Sequence, residues 1–116
     1  MKNCTDIEQS KKLIELGIDV NTADIIYNIF DVSYIRHDTP IDKYHTPAWS
    51  LAALLELIPN KISINNESYY LSFTKESVAF RGPITWDGQK AKSFEMDDIL
   101  DAVFEMVVWL KENKKI

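Results

Sequence analysis

The sequence is poor in glycine: Gly17, Gly82 and Gly88 are the only three in 116 residues. A phosphate-cradling loop needs glycines clustered at fixed spacing ahead of a helix, so the common nucleotide-binding fingerprints are excluded. A single cysteine, Cys4, excludes an internal disulfide or a multi-thiolate zinc site and suits a reducing compartment. No apolar run approaches the roughly 20 residues that cross a bilayer. The longest, around Ile99–Leu110, is interrupted by Asp101 and Glu105. The opening residues, MKNCTDIEQSKK, lack the apolar stretch of a secretory signal. These absences predict a cytoplasmic protein with no membrane contact.

Clustered positive charge is also scarce. The net charge of −5 disfavours nonspecific binding to phosphate backbones. The distribution is uneven. Residues 1–60 carry 5 basic and 9 acidic side chains, residues 61–93 carry 5 and 3, and residues 94–116 carry 3 and 6. Only the middle stretch is mildly basic.

What the chain has is a core. With 46% hydrophobic and 27% charged residues it has the composition and length of one globular unit, 1–116, without repeats or low-complexity linkers. Thr5 and Glu8 form a Thr-x-x-Glu capping box, and Ile7, Leu13, Ile14 and Leu16 give an apolar stripe, so a helix is predicted up to Gly17. Gly17 takes the left-handed position after it, and Ile18 folds back. Asp19–Thr46 reads as a turn, then an extended segment rich in Ile, Tyr, Phe and Val, then a polar loop from Arg36. Thr46 followed by Pro47 predicts a helix start, with Leu51, Leu54, Leu55 and Ile58 as the buried stripe and Pro59 as the stop.

Residues 61–82 alternate as an antiparallel meander. Ile62, Ile64, Tyr69, Leu71, Phe73, Val78 and Phe80 face inward, and Tyr70, Ser72, Thr74, Ala79 and Arg81 face outward. Asn65-Asn66 and Lys75-Glu76 supply its turns, and Asp87-Gly88 predicts a further hairpin joining Ile84–Trp86 to Lys90–Phe94. A last helix, capped by Asp97 or Asp98 and running to Asn113, is too apolar for one stripe. Such a helix either lies centrally against the sheet or buries a second side against a partner. The fold class expected is α+β: an antiparallel sheet of three to five strands with about three helices packed mainly on one face.

Candidate chemistry is thin. His37, Asp38 and His45 share a loop and carry metal-ligand side chains, but their spacing matches no standard site, and solvated loops carry such residues anyway. Cys4 precedes a helix N-terminus without a basic neighbour beyond Lys2, which reads as an incidental thiol. Asp98, Asp101 and Glu105 fall at helical spacing and read as the solvated strip of an apolar helix. On the outer sheet face, Tyr70, Ser72, Thr74 and Arg81, joined by Lys61 and Ser63, combine an aromatic with basic groups, as single-strand nucleic-acid binders do. An ordinary polar sheet face has the same pattern. That face, or the meander's edge, equally suits strand addition by a protein. Trp109, Phe104 and Trp86 are the large side chains expected at an interface, since tryptophan is enriched at binding hot spots.

Three stretches carry a family resemblance: Ile7–Gly17, Pro47–Ala-Trp-Ser-Leu-Ala-Ala-Leu-Leu-Glu-Leu-Ile–Pro59, and Ala102–Leu110. They resemble a group of small proteins of gut anaerobic bacteria and their phages or mobile elements, for which no activity or cofactor is established. The resemblance implies a compact domain with this order of elements and a mobile-element origin. The leading expectation is therefore a noncatalytic accessory or interaction module acting through a protein partner or a second copy, with no cofactor. Alternatives are single-stranded nucleic-acid binding on the sheet face, and a small metal-dependent hydrolase using His37, Asp38 and His45.

Overall fold

The computed structural model describes residues 2–36, 43–64, 66–82 and 90–116, with the backbone alone at 90–91. In chain order the elements are α1 (Ile7–Glu15), a 3-10 turn (Val20–Thr22), β1 (Ile25–Tyr27), β2 (Ser33–Ile35), β3 (Thr46–Ala48), α2 (Leu51–Leu57), β4 (Lys61–Ile64), β5 (Glu67–Phe73), β6 (Ser77–Arg81), β7 (Lys90–Glu95) and α3 (Ile99–Glu112). The fold is α+β. Its strands form two antiparallel sheets, in the order β2-β1-β3 and β4-β5-β6-β7.

The larger sheet is the expected meander. Ile62, Tyr69, Val78 and Phe80 are buried on the predicted face. Asn66 adopts a positive φ of 68° at the first turn, and Thr74 closes the second, its Oγ1 accepting from the amides of Glu76 and Ser77 at 3.3 and 3.2 Å. The predicted strand at Ile84–Trp86 and its Asp87-Gly88 turn lie outside the described residues. α3 packs across β6 and β7 and against α2. Nine of its 14 residues are buried, among them Leu100, Val103, Met106, Val107 and Leu110. Its all-round apolarity is therefore used largely inside the chain: one side meets the sheet and another meets α2.

Three local readings change. The first helix is capped by Asp6, whose Oδ1 accepts from the Gln9 amide at 2.8 Å while Gln9 Oε1 accepts from the Asp6 amide at 3.0 Å. The box is thus one residue later than Thr5–Glu8. Thr5 is instead completely buried, its Oγ1 accepting from the Trp49 amide at 3.0 Å and sharing a hydrogen bond with Ser10 Oγ. The end of α1 is as expected: Gly17 has φ of 89°, its amide reaches the Ile14 carbonyl, and the Ile18 amide reaches the Leu13 carbonyl, both at 3.0 Å. This is a Schellman cap.

The second helix does not begin at Thr46-Pro47. Those residues form β3, and Ser50 is the cap, accepting from the Ala53 amide at 3.2 Å while its own amide and hydroxyl donate to the Asp24 carboxylate. Pro47 suits β3 because it is a non-hydrogen-bonded partner of Ile26, so its missing N–H lies on the outer edge of the sheet. The third change is the β1–β2 hairpin, which divides a segment expected to hold a turn and one extended stretch.

Candidate functional site

Among the described residues, the β1–β2 hairpin carries the densest run of exposed large hydrophobic side chains. Its turn is specified by two polar residues. The Asn28 side chain accepts from the amides of Phe30 and Val32 at 2.9 and 3.1 Å, the Asp31 amide donates to the Asn28 carbonyl at 3.0 Å, and Asp31 adopts a positive φ of 59°. Asn and Asp tolerate these conformations, so Ile29 and Phe30 between them have no conformational duty. They nevertheless stand at the tip 65% and 78% exposed, followed by Val32, Tyr34 and Ile35, all exposed. Fully burying one such side chain is worth about 1.5–3 kcal/mol, and none of the residues from Ile25 to Ile35 joins the main core. Scattered exposed hydrophobics are ordinary, but five within seven residues, at the tip and on both faces of one hairpin, are a concentration of the kind that marks an interaction surface.

The backbone adds to this. Hydrogen bonds between Asn28 and Val32 and between Arg36 and Asp24 fix the ladder parity, so Ile26 and Tyr34 face each other's backbone. The amides and carbonyls of Ser33 and Ile35 then point away from β1, and among the described residues they meet no partner. The opposite edge of the same sheet is guarded by Pro47 and by the bridge between Cys4 and Ser50. Among the described residues, one edge is closed and the other is open.

Behind the hairpin the small sheet is anchored firmly. Tyr27 Oη donates to the Thr5 carbonyl at 3.0 Å and meets Cys4 Sγ at 3.4 Å. Burial, followed by the contact with Cys4, pushes its phenol well above the ordinary tyrosine range. Trp49 is completely buried and donates from Nε1 to Thr22 Oγ1 at 2.9 Å. Arg36 donates from Nη1 to the carbonyls of Val20 and Ala23 at 3.2 and 3.3 Å, tying the end of β2 to the 3-10 turn.

Two other features stand on the larger sheet. Lys61, Tyr70 and Arg81 are cross-strand neighbours in one row, with Tyr70 54% exposed and Arg81 partly so. Ser72 is half-buried beside Ala79, and Thr74 is occupied in the turn. The second is an apolar cleft of about 300 Å³ lined by Leu51, Leu55, Phe73, Thr74, Lys75, Ile99 and Val103. It explains why Phe73, though on the inward face, is exposed.

The residues singled out for an interface part company. Phe104 is buried in the core and offers almost no surface, Trp109 is half-buried against that core, and Trp86 lies outside the described residues. His37 and Asp38 also lie outside them. Among the described residues no three His, Cys, Asp or Glu side chains gather to hold a metal, and no helix is long and apolar enough to cross a membrane. Cys4 is buried. Asp98 caps α3, and Asp101 pairs with Lys2 Nζ at 2.8 Å. The sequence does not reveal the hairpin site because Ile29 and Phe30 read, by β propensity, as part of one extended segment, although Asn28 and Asp31 are residue types that suit a turn. The chain matches no protein-family model, no curated protein and no solved structure.

Proposed function

We propose that this protein is a noncatalytic accessory or interaction module that acts in the cytoplasm through protein contacts made by the β1–β2 hairpin. One observation carries the reading: five large apolar side chains stand exposed on a hairpin whose outer strand also presents backbone groups that meet no partner among the described residues. An extended partner strand added to that edge gains main-chain hydrogen bonds while its side chains cover the apolar groups. The resemblance of the helices to mobile-element proteins favours the same kind of role, that of a small accessory subunit.

A photoreactive phenylalanine analogue at position 30 tests this in a cell that produces the protein. Irradiation is expected to yield a discrete adduct that disappears when the analogue is moved to Glu56, on the exposed side of α2. Equal labelling at both positions, or no adduct at 30, contradicts it.

The row of Lys61, Tyr70 and Arg81 favours a second reading, single-stranded nucleic-acid binding, because it places an exposed ring between two cations. That reading expects salt-sensitive binding of an oligonucleotide weakened at least tenfold by Tyr70→Ala. No binding in low salt removes it.

A further inference from the structure

Resting on the hairpin reading, we infer that the partner of β2 is a second copy of β2, paired antiparallel across a two-fold axis at Tyr34 to make one six-stranded sheet from two three-stranded ones. Four observations lead there. The open edge is β2 itself, and its outward hydrogen-bonding residues, Ser33 and Ile35, are two apart with Tyr34 between them. Antiparallel self-pairing centred on Tyr34 sets Ser33 opposite Ile35 of the other copy and Ile35 opposite its Ser33. Every outward amide and carbonyl of the strand then finds a partner.

The charges agree with that direction. β2 has an acid, Asp31, before it and a base, Arg36, after it, the latter's guanidinium held by the Val20 and Ala23 carbonyls of its own chain. Antiparallel pairing keeps the two Arg36 cations at opposite ends of the seam, and the two Asp31 carboxylates likewise, whereas parallel pairing aligns like with like.

The side chains agree as well. Tyr34 meets Tyr34 of the second copy in the closer, non-hydrogen-bonded type of pair, and such aromatic pairs stabilise antiparallel sheets. Val32 and Ile35 are covered along the seam, and Ile29 and Phe30 extend past the partner's β2.

Lastly, the other edge of the sheet is guarded by Pro47 and the Cys4–Ser50 bridge. Pairing through β2 alone therefore stops at two copies, as an isologous contact does, and does not continue into a fibre. One short strand with Val32, Tyr34 and Ile35 makes an interface at the small end of the range, below about 1,200 Å² in total. The dissociation constant is accordingly roughly 1–100 μM.

The test is sedimentation equilibrium of the full chain from about 1 μM to about 1 mM, a span that brackets the expected constant. The expected result is a reversible monomer–dimer transition without larger species. Ile35→Pro is expected to weaken it at least tenfold while leaving the fold intact, because the Ile35 amide is not used by β1. Far-ultraviolet circular dichroism and the melting temperature verify that the variant still folds. Register is read separately, in a Cys4→Ser background, by oxidative cross-linking. Tyr34→Cys places two sulfurs across the axis at Cα separations near 4.5 Å and is expected to form a covalent dimer, whereas Ser33→Cys is displaced by two residues and is not.

A strictly monomeric chain over the whole range overturns the inference, and so does a dimer indifferent to Ile35→Pro or cross-linking equally well at 33 and 34. The mass of the position-30 photoadduct separates the two levels. An adduct of twice the chain mass supports self-pairing. An adduct with a different protein, from a chain that stays monomeric, keeps the hairpin reading and discards the second copy. With no adduct, both fall.

Discussion

Gly17 shows how one residue sets a boundary. Its φ of 89° lies in the left-handed region, and a Cβ built there would meet only Lys111 Cε, at 3.8 Å. Space is no obstacle, so Gly17→Ala is expected to cost about 1–2 kcal/mol through backbone strain alone. The urea midpoint should fall with an unchanged slope, and an unaltered midpoint would contradict the strain account. Asp98 acts at the same scale. Its Oδ2 accepts from the Lys2 amide at 2.6 Å and its Oδ1 from the Leu100 amide at 3.0 Å. These bonds hold its carboxyl below the usual carboxylate range, the Lys2 amide counting most and outweighing the opposing effect of burial. A depressed folded value contributes stability above the unfolded value of about 4, and the contribution is lost as pH falls through the folded one. Asp98→Ala is expected to cost about 1–2 kcal/mol at neutral pH, with the gap to the parent narrowing in acid. A gap that does not narrow at all as pH falls from 6 towards 2 would show that the carboxylate is not its source. Lys2 shifts the opposite way: its hydrogen bond to Asp101 raises its value, and that contribution is lost only as pH rises through the raised value, above 10.5.

At the level of elements, the sequence was legible where periodicity and turn chemistry agreed. β4 to β6 were foreseen because Ile62, Tyr69, Val78 and Phe80 alternate with polar residues and the turns carry Asn66 and Lys75-Glu76. α3 was foreseen because an acidic cap precedes an apolar run and lysines follow it. α2 was misplaced at its start because Thr-Pro is as good a helix opening as it is an edge strand, and only pairing with β1 decides between them. Those partners are 19 to 23 residues apart in sequence, so no local pattern reveals the pairing. β1 and β2 were unclear for a related reason. An apolar residue in a turn looks like part of a strand until the hydrogen bonds of Asn28 are known. The hairpin's independence of the main core has a consequence for stability. Phe30→Ser is expected to change unfolding free energy by less than about 0.5 kcal/mol, as for a surface substitution, whereas Trp49→Ala should cost about 3–5 kcal/mol. Equal losses in urea unfolding would mean that Phe30 is packed.

The whole molecule is elongated. Its principal extents are 51 × 26 × 21 Å and its radius of gyration is 15.3 Å, against about 13 Å for a compact chain of this length. The main core is built by α1, α2, α3 and the four-stranded sheet, and the hairpin contributes no residue to it. A chain of this size has little apolar surface to spare, so five exposed hydrophobics on one hairpin weigh more than any polar constellation in it. The apolarity of α3 pointed to association when only the sequence was in view. In the folded chain most of that helix is covered, and the exposed apolar surface proposed for association is on the β1–β2 hairpin. Amide hydrogen exchange, resolved by residue in dilute solution, reaches that surface most directly. The amides of Ile26 and Tyr34, paired across the hairpin, should exchange slowly, and those of Ser33 and Ile35 should exchange at close to the rate of an unstructured chain. Protection of Ser33 and Ile35 equal to that of Tyr34 in the most dilute sample would show that the edge is already covered by its own chain, and would contradict the proposed docking role of β2.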